Sequence, residues 1–346
     1  MASLRPVSGS PRAVHAALRD WLEQPEAPAL VVRTSGSTGA AKDVVLSREG
    51  MLSSAHAALD RLGGAGRWLL ALPAHYVAGL QVLLRSLVAG TEPVVLDEHA
   101  DFGRAVEALA VDSLADADRR YVSLVPTQLQ RLLDGQAEAL RTFDAVLLGG
   151  AAAPAALLER AADAGVRVVT TYGMSETCGG CVYDGRPLDG VDVSADADGR
   201  IHIRGPVLFD GYDGRPDLTA QTLVDGVLRT QDVGGFDADG RLVVTGRVDD
   251  VVLSGGVNVG LAAVERRVRE HHLVRDVAVV GVDDPEWGSR VRAFAVADPV
   301  LTLDALRDFV SAELPRTWAP RDLTVLPELP LLDNGKVDRQ ALRGRT

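Results

Sequence analysis

The sequence predicts an α/β fold built on a mostly parallel sheet, followed by a small antiparallel, barrel-like part and a small α+β unit. Three observations carry this. Short apolar runs alternate with Ala/Leu/Arg-rich helical segments through the first half of the chain, the pattern of strands joined by crossover helices. From Ile201 to Val244 the pattern changes to short strands separated by Gly/Asp turns. The chain has 346 residues, 47% of them hydrophobic and 24% charged, which is enough for two packed domains whose buried surface offsets the entropy of ordering the chain.

The elements follow in order. Val14, Leu18, Trp21 and Leu22 recur at helical spacing and predict an amphipathic helix over Pro11–Leu22. A short strand over Ala29–Val32 runs into Thr34-Ser35-Gly36-Ser37-Thr38-Gly39. After Lys42 come a strand over Val44–Leu46 and a helix capped by Ser47. Strands are then expected at Trp68–Leu72, Pro93–Leu96, Tyr121–Val125, Ala145–Leu148 and Val166–Thr170, with helices between them. The C-terminal part carries strands Val277–Val282 and Val291–Val296 and a helix over Leu303–Leu314.

Composition excludes several classes. The net charge of −12 provides no general field for nucleic acid or anionic membranes, and leaves room only for a local basic pocket. The most apolar stretch, Trp68–Leu84, is broken by Pro73, His75, Gly79 and Gln81, so stable membrane insertion is not expected. The N-terminal residues lack a hydrophobic signal core, which makes the cytoplasm the expected compartment. Cys178 and Cys181 supply half a zinc site in no redox context and read as reduced packing or loop residues. Of 36 basic residues only Lys42 and Lys336 are lysine, and Asn258 and Asn334 are the only asparagines. Arginine replaces lysine at a solvated face, but not where a compact ammonium must reach one oxygen.

Thr34–Gly39 offers hydroxyls, two glycines and backbone amides in six residues, able to wrap polyphosphate, with Lys42 adding charge. It is neither a Walker A loop nor a Rossmann fingerprint. Taken alone it reads as a flexible loop. Further segments stand in a telling order: Leu148-Gly149-Gly150-Ala151, Tyr172-Gly173-Met174-Ser175-Glu176-Thr177, Arg229-Thr230-Gln231-Asp232, Gly246-Arg247-Val248-Asp249-Asp250, Gly255-Gly256-Val257-Asn258 and Asn334-Gly335-Lys336. In this order they resemble the acyl-adenylating superfamily of acyl-CoA synthetases, adenylation domains and luciferases, from about Leu30 to the C-terminus.

The resemblance implies ATP- and Mg²⁺-dependent activation of a small carboxylate to an acyl-adenylate and transfer of the acyl group to a thiol, commonly coenzyme A. It implies a domain over residues 1–248 that binds nucleotide and acid, and a mobile domain over 249–346 hinged at Asp249. By position, Thr34, Ser35, Gly36, Ser37, Thr38, Gly39 and Lys42 would hold phosphates. Gly149, Gly150 and Ala151 would lie against adenine and Tyr172 would stack on it, Gly173 would belong to the same ATP site, and Ser175 would stand near the phosphates. Glu176 would bind Mg²⁺, Asp232 the ribose hydroxyls, and Arg247 the ribose or α-phosphate. Lys336 would stabilise charge growing at the α-phosphate, and Gly255 and Gly256 would line the coenzyme A tunnel. Ala41, Gln231 and Gly260 depart from the family pattern without removing a chemical group. Only 33 residues precede Thr34, which reads as a trimmed N-terminal subdomain.

The segment Leu72-Pro73-Ala74-His75-Tyr76-Val77-Ala78-Gly79-Leu80-Gln81 is similar to the short o-succinylbenzoate–CoA ligases of menaquinone biosynthesis in high-GC bacteria. On that resemblance His75 contacts or polarises the reacting carboxylate, Arg85 is the candidate partner for the second one, and Gly173, Met174 and Thr177 line the aromatic end of the pocket. Two alternatives stay open: a ligase loading another aryl or acyl acid onto coenzyme A or a carrier protein, and a nucleotide-binding regulator without catalysis. The chain is also compatible with a homo-oligomer.

Overall fold

The computed structural model describes residues 2–34, 41–111 and 119–345. Its centre is a seven-stranded sheet in the order Arg186–Pro187, Gly179–Tyr183, Val168–Met174, Ala145–Leu148, Arg119–Leu124, Gly66–Leu70, Val94–Val95. The five strands from Val168–Met174 to Val94–Val95 are parallel, and the two at the other edge are antiparallel additions. This is the expected α/β sheet.

Side-chain alternation divides the core into two layers. Trp68, Leu70, Tyr121, Ala145 and Leu147 point to one face, where Val14, Leu18, Met51, Ala55, Leu80 and Leu83 pack from helices Pro11–Glu23, Arg48–Leu62 and Val77–Val88. Leu69, Val122, Val146 and Leu148 point to the other face, against Phe102, Ala105, Leu129, Leu157 and Ala161. With both faces covered, Ala145–Leu148 is buried at every position, hence its unbroken apolar sequence. Ser47 caps its helix as its position predicts, accepting from the Gly50 amide at 3.0 Å.

The expected antiparallel part is a five-stranded sheet over residues 192–247, in which Asp192–Ala195, Arg200–Arg204, Val227–Phe236 and Leu223–Val224 are neighbours in that order and Leu242–Arg247 pairs with Val227–Phe236. A separate small sheet joins Leu30–Arg33, Asp43–Leu46 and Gly211–Tyr212. Beyond residue 250 a further five-stranded sheet is built on the long hairpin Val274–Asp284 and Gly288–Ala297. Val277, Val279, Val291 and Ala293 face helices Leu261–Arg269 and Leu303–Ser311, while Ala278, Val280 and Phe294 face Leu329 and Leu342. Among the described residues no helix is long and apolar enough to cross a membrane.

Candidate functional site

The parallel strands end at Leu124, Leu148 and Met174, and the segments after them converge where ligands of open α/β sheets bind. There the second sheet supplies a charged ladder. Asp232 and Arg247 are directly opposite in register, and Arg247 Nη1 donates to Asp232 Oδ1 at 3.1 Å. The Tyr172 hydroxyl reaches across from the central sheet to Asp232 Oδ2 at 2.8 Å. Arg247 turns its other nitrogens to Asp249, with Nε and Nη2 at 2.7 and 2.9 Å from the two carboxylate oxygens. Asp232 is buried, and both its oxygens are engaged. Burial first, then the Asp232 charge, push the Tyr172 phenol far above its ordinary range, so it stays a neutral donor. Tyr172 is thus tethered by its hydroxyl to the carboxylate expected to bind ribose.

Lys336 sits on a hairpin closed by a Leu331–Val337 bridge, at whose turn Gly335 takes φ +76° and Asn334 Oδ1 accepts the Lys336 amide at 3.2 Å. Its side chain crosses to the Gly149–Gly150 turn: a Cβ added to Gly150 would stand 3.1 Å from Lys336 Cε and 3.9 Å from Nζ. Burial, then Arg247, lower the Lys336 pKa, with Asp232 acting the other way. Lys336, Arg247, Asp232 and Tyr172 therefore form one site from three distant stretches of sequence. The glycines at its floor make room for protein: Gly150 has φ +80°, and a Cβ on Gly149 would lie 2.3 Å from Thr171 Oγ1. Ala151 follows them, exposed.

A second cluster surrounds Glu176. The Tyr212 hydroxyl donates to Glu176 Oε1 at 2.7 Å, and the Lys42 ammonium lies 5.2 Å from the centre of the same ring. Thr34 and Lys42 clamp the ends of the intervening loop, Thr34 N to Lys42 O at 2.8 Å and Lys42 N to Thr34 Oγ1 at 3.1 Å. Ser35, Gly36, Ser37, Thr38 and Gly39 lie outside the described residues. Tyr212 was not among the expected site residues. It comes to Lys42 because Gly211–Tyr212 pairs with Val44–Val45, a partner 168 positions away in register that spacing does not reveal. Burial, then Glu176, raise its phenol pKa beyond the ordinary range.

Glu176 is compatible with a magnesium ion. Tyr212 donates to one of its oxygens, and Mg²⁺ characteristically takes one or two carboxylates with phosphates and water. Among the described residues no group of three or more His, Cys, Asp or Glu forms an all-protein cage.

The residues expected to bind the acid are placed less uniformly. Thr177 is corrected: it is fully buried, its hydroxyl accepts from Met174 N at 2.9 Å and lies 2.7 Å from the Gly179 carbonyl that it donates to, so it holds the turn and lines no pocket. Gly173 permits close strand pairing, since a Cβ there would meet the Gly179 carbonyl oxygen at 2.1 Å. Met174 and Ser175 are half-buried beside it. His75 is half-buried in the segment before helix Val77–Val88, its ring 4.4 Å from that of Tyr76. Arg85 is 3% exposed, lies 5.2 Å from the Trp68 ring, and donates to the Tyr183 hydroxyl at 3.3 Å. Among the described residues it has no carboxylate partner, and its Nε has no hydrogen bond. Gly255 and Gly256 form a turn with φ +58° and +78° that packs on Trp287, the Gly255 amide donating to the Trp287 carbonyl at 2.9 Å. Cys178 and Cys181 are buried and reduced, and burial raises both thiols, Cys181 to about 12.

Comparison with known proteins gives the family. The AMP-binding enzyme model matches residues 8–213, and the AMP-binding enzyme C-terminal domain model matches 263–336. A probable 2-succinylbenzoate–CoA ligase of Mycobacterium tuberculosis (strain CDC 1551 / Oshkosh) is 47% identical over 323 residues, 91% of this chain and 83% of that protein. The 2-succinylbenzoate–CoA ligase of Listeria monocytogenes serotype 4b is 32% identical over 332 residues, 92% of this chain and 70% of that protein. The o-succinylbenzoate CoA synthetase of Bacillus subtilis, solved with its acyl-adenylate intermediate, superposes with a TM-score of 0.78 at 29% identity, covering 91% of this chain and 69% of that one. With the first model matching more than half of the chain and the second following it in order, the chain belongs to the AMP-binding enzyme family.

Proposed function

We propose that the chain is an AMP-forming acid–thiol ligase that activates o-succinylbenzoate with ATP and transfers the acyl group to coenzyme A, acting in the cytoplasm on the way to menaquinone. The observation that carries this is the Lys336 ammonium, half-buried over the Gly149–Gly150 turn beside Arg247, Asp232 and Tyr172. The names of the relatives give the acid and the acceptor.

In the first half-reaction a carboxylate oxygen of the acid attacks the α-phosphorus of ATP, forming the acyl–phosphate bond while pyrophosphate leaves. Lys336 places a desolvated positive charge where negative charge grows on the phosphate oxygens, which favours the transition state over bound substrate. Asp232 takes the ribose hydroxyls, with Tyr172 and Arg247 fixing its orientation. Lys42 and the Thr34–Gly39 loop hold the β- and γ-phosphates. Glu176, aimed by Tyr212, would hold a bound Mg²⁺, which would neutralise phosphate charge. In the second half-reaction the coenzyme A thiol attacks the acyl carbon and AMP leaves. Residues 249–346 turn about Asp249 between the steps, withdrawing Lys336 and presenting Gly255–Gly256 to the pantetheine arm. His75 contacts the reacting carboxylate.

The second carboxylate of o-succinylbenzoate is assigned to Arg85. A buried guanidinium without an anion is unfavourable, and an incoming carboxylate, direct or through water, satisfies it. A pyrophosphate-release screen across aryl and acyl acids, with coenzyme A as acceptor, tests the assignment. Turnover should be greatest with o-succinylbenzoate; inactivity with it beside robust turnover of another acid would overturn the choice of substrate.

A further inference from the structure

The hairpin that carries Lys336 is anchored at two points, and the two anchors differ in kind. At its base, Arg339 donates Nη1 to the Val279 carbonyl at 2.9 Å and pairs through Nη2 with Glu265 Oε2 at 2.7 Å. Glu265 Oε1 is held in turn by Arg269 at 3.0 Å. Every partner here lies beyond residue 249, so this anchor persists wherever the C-terminal part moves as a body.

The tip is held from the other side. Thr127 Oγ1 donates to the Gly335 carbonyl at 3.0 Å, joining residues 208 positions apart. Val125 packs at the same turn, since a Cβ on Gly335 would stand 2.9 Å from Val125 Cγ2. Thr127 lies at the start of helix Pro126–Leu133, directly after strand Arg119–Leu124. That helix does not need the hydroxyl: Gln128 Oε1 accepts from the Val125 amide at 3.0 Å and Gln128 Nε2 is fixed on the Ala71 carbonyl at 2.8 Å. Among the described residues the Thr127 hydroxyl has the Gly335 carbonyl as its hydrogen-bond partner and no other.

We infer that Thr127 is a positioning residue for adenylate formation: its hydroxyl latches the Gly335 carbonyl, holds the Lys336 ammonium over the Gly149–Gly150 turn, and lets go when the second half-reaction begins. The inference rests on the two-step reading above. A bond made across the two parts stabilises one arrangement only, so its loss lowers the population competent for the first step and leaves the second untouched.

The test uses Thr127→Val, which keeps shape and removes the donor, and Thr127→Ser, which keeps the donor, in the full chain. Each half-reaction is timed separately: single-turnover pyrophosphate release, and thioester formation from synthetic o-succinylbenzoyl-adenylate with coenzyme A. Thr127→Val should slow adenylate formation about 3- to 10-fold, mainly in kcat, and leave the thioester step within about twofold of the parent; Thr127→Ser should restore the first step. Equal slowing of both steps, unchanged adenylate formation, or no rescue by serine would each overturn the latch. Amide hydrogen exchange over residues 331–337 reads the latch without catalysis: exchange should accelerate in Thr127→Val, and unchanged exchange overturns it. A parent enzyme that forms no adenylate from any acid, yet shows the exchange difference, would instead overturn the functional reading alone.

Discussion

Tyr212 shows how one phenol serves two charged groups, its hydroxyl on Glu176 and its ring beneath Lys42. Tyr212→Phe keeps the ring and removes the donor. The Mg²⁺ concentration giving half-maximal adenylate formation should rise about 10-fold, with the rate at saturating Mg²⁺ nearly kept; an unchanged Mg²⁺ requirement would remove Tyr212 from the site. Lys336 makes a second residue-scale prediction. Burial and Arg247 together lower its pKa from the ordinary 10.5. The protonated form is the working one, so kcat/KM for ATP should be full below the shifted pKa and fall as pH rises through it, at lower pH than an ordinary lysine allows. A pH profile with no alkaline limb below the ordinary lysine value would contradict the assignment. Both lysines are legible in the sequence because arginine has taken every other basic position. Tyr212 is not legible, because its role depends on the register of a short three-stranded sheet. Thr177 misleads for a related reason: it adjoins Glu176 in sequence, but the turn carries its side chain inward.

At the scale of elements, strand existence follows from apolar alternation while strand ends follow from contacts. Ala145–Leu148 is found at its expected bounds because both faces are covered from end to end. The next strand is expected at Val166–Thr170 and observed at Val168–Met174. Its extension through Tyr172 and Met174 is a pairing with Gly179–Tyr183 that Gly173 makes possible by leaving space for the Gly179 carbonyl. A methyl group at Gly173 would force these backbones apart. Gly173→Ala should therefore lower stability by about 1–3 kcal/mol, seen as a lower urea midpoint at unchanged m-value; full stability would show that the strands part easily. The Asp232–Arg247 pair belongs to this scale too. The two residues are recognisable singly by motif order, but their cross-strand register is set by the hairpin between them.

At the scale of the molecule, a chain of net charge −12 concentrates positive charge locally, Arg247 and Lys336 beside Asp232 and Lys42 beside Tyr212 and Glu176, the lysines coming from stretches of sequence almost 300 positions apart. Lys336 arrives on a hairpin held to its own sheet by Arg339 and to the opposite side by Thr127. The motif order in the sequence predicts that these parts cooperate. It does not predict the Thr127–Gly335 contact, because neither residue belongs to a polar pattern and they meet only after both halves have folded. On the proposed mechanism Lys336 serves adenylate formation specifically. Lys336→Ala, assayed separately for pyrophosphate release and for thioester formation from synthetic acyl-adenylate, tests it most directly. The first step should fall at least about 100-fold while the second stays within a few-fold of the parent, and an equal loss of both would contradict the claim.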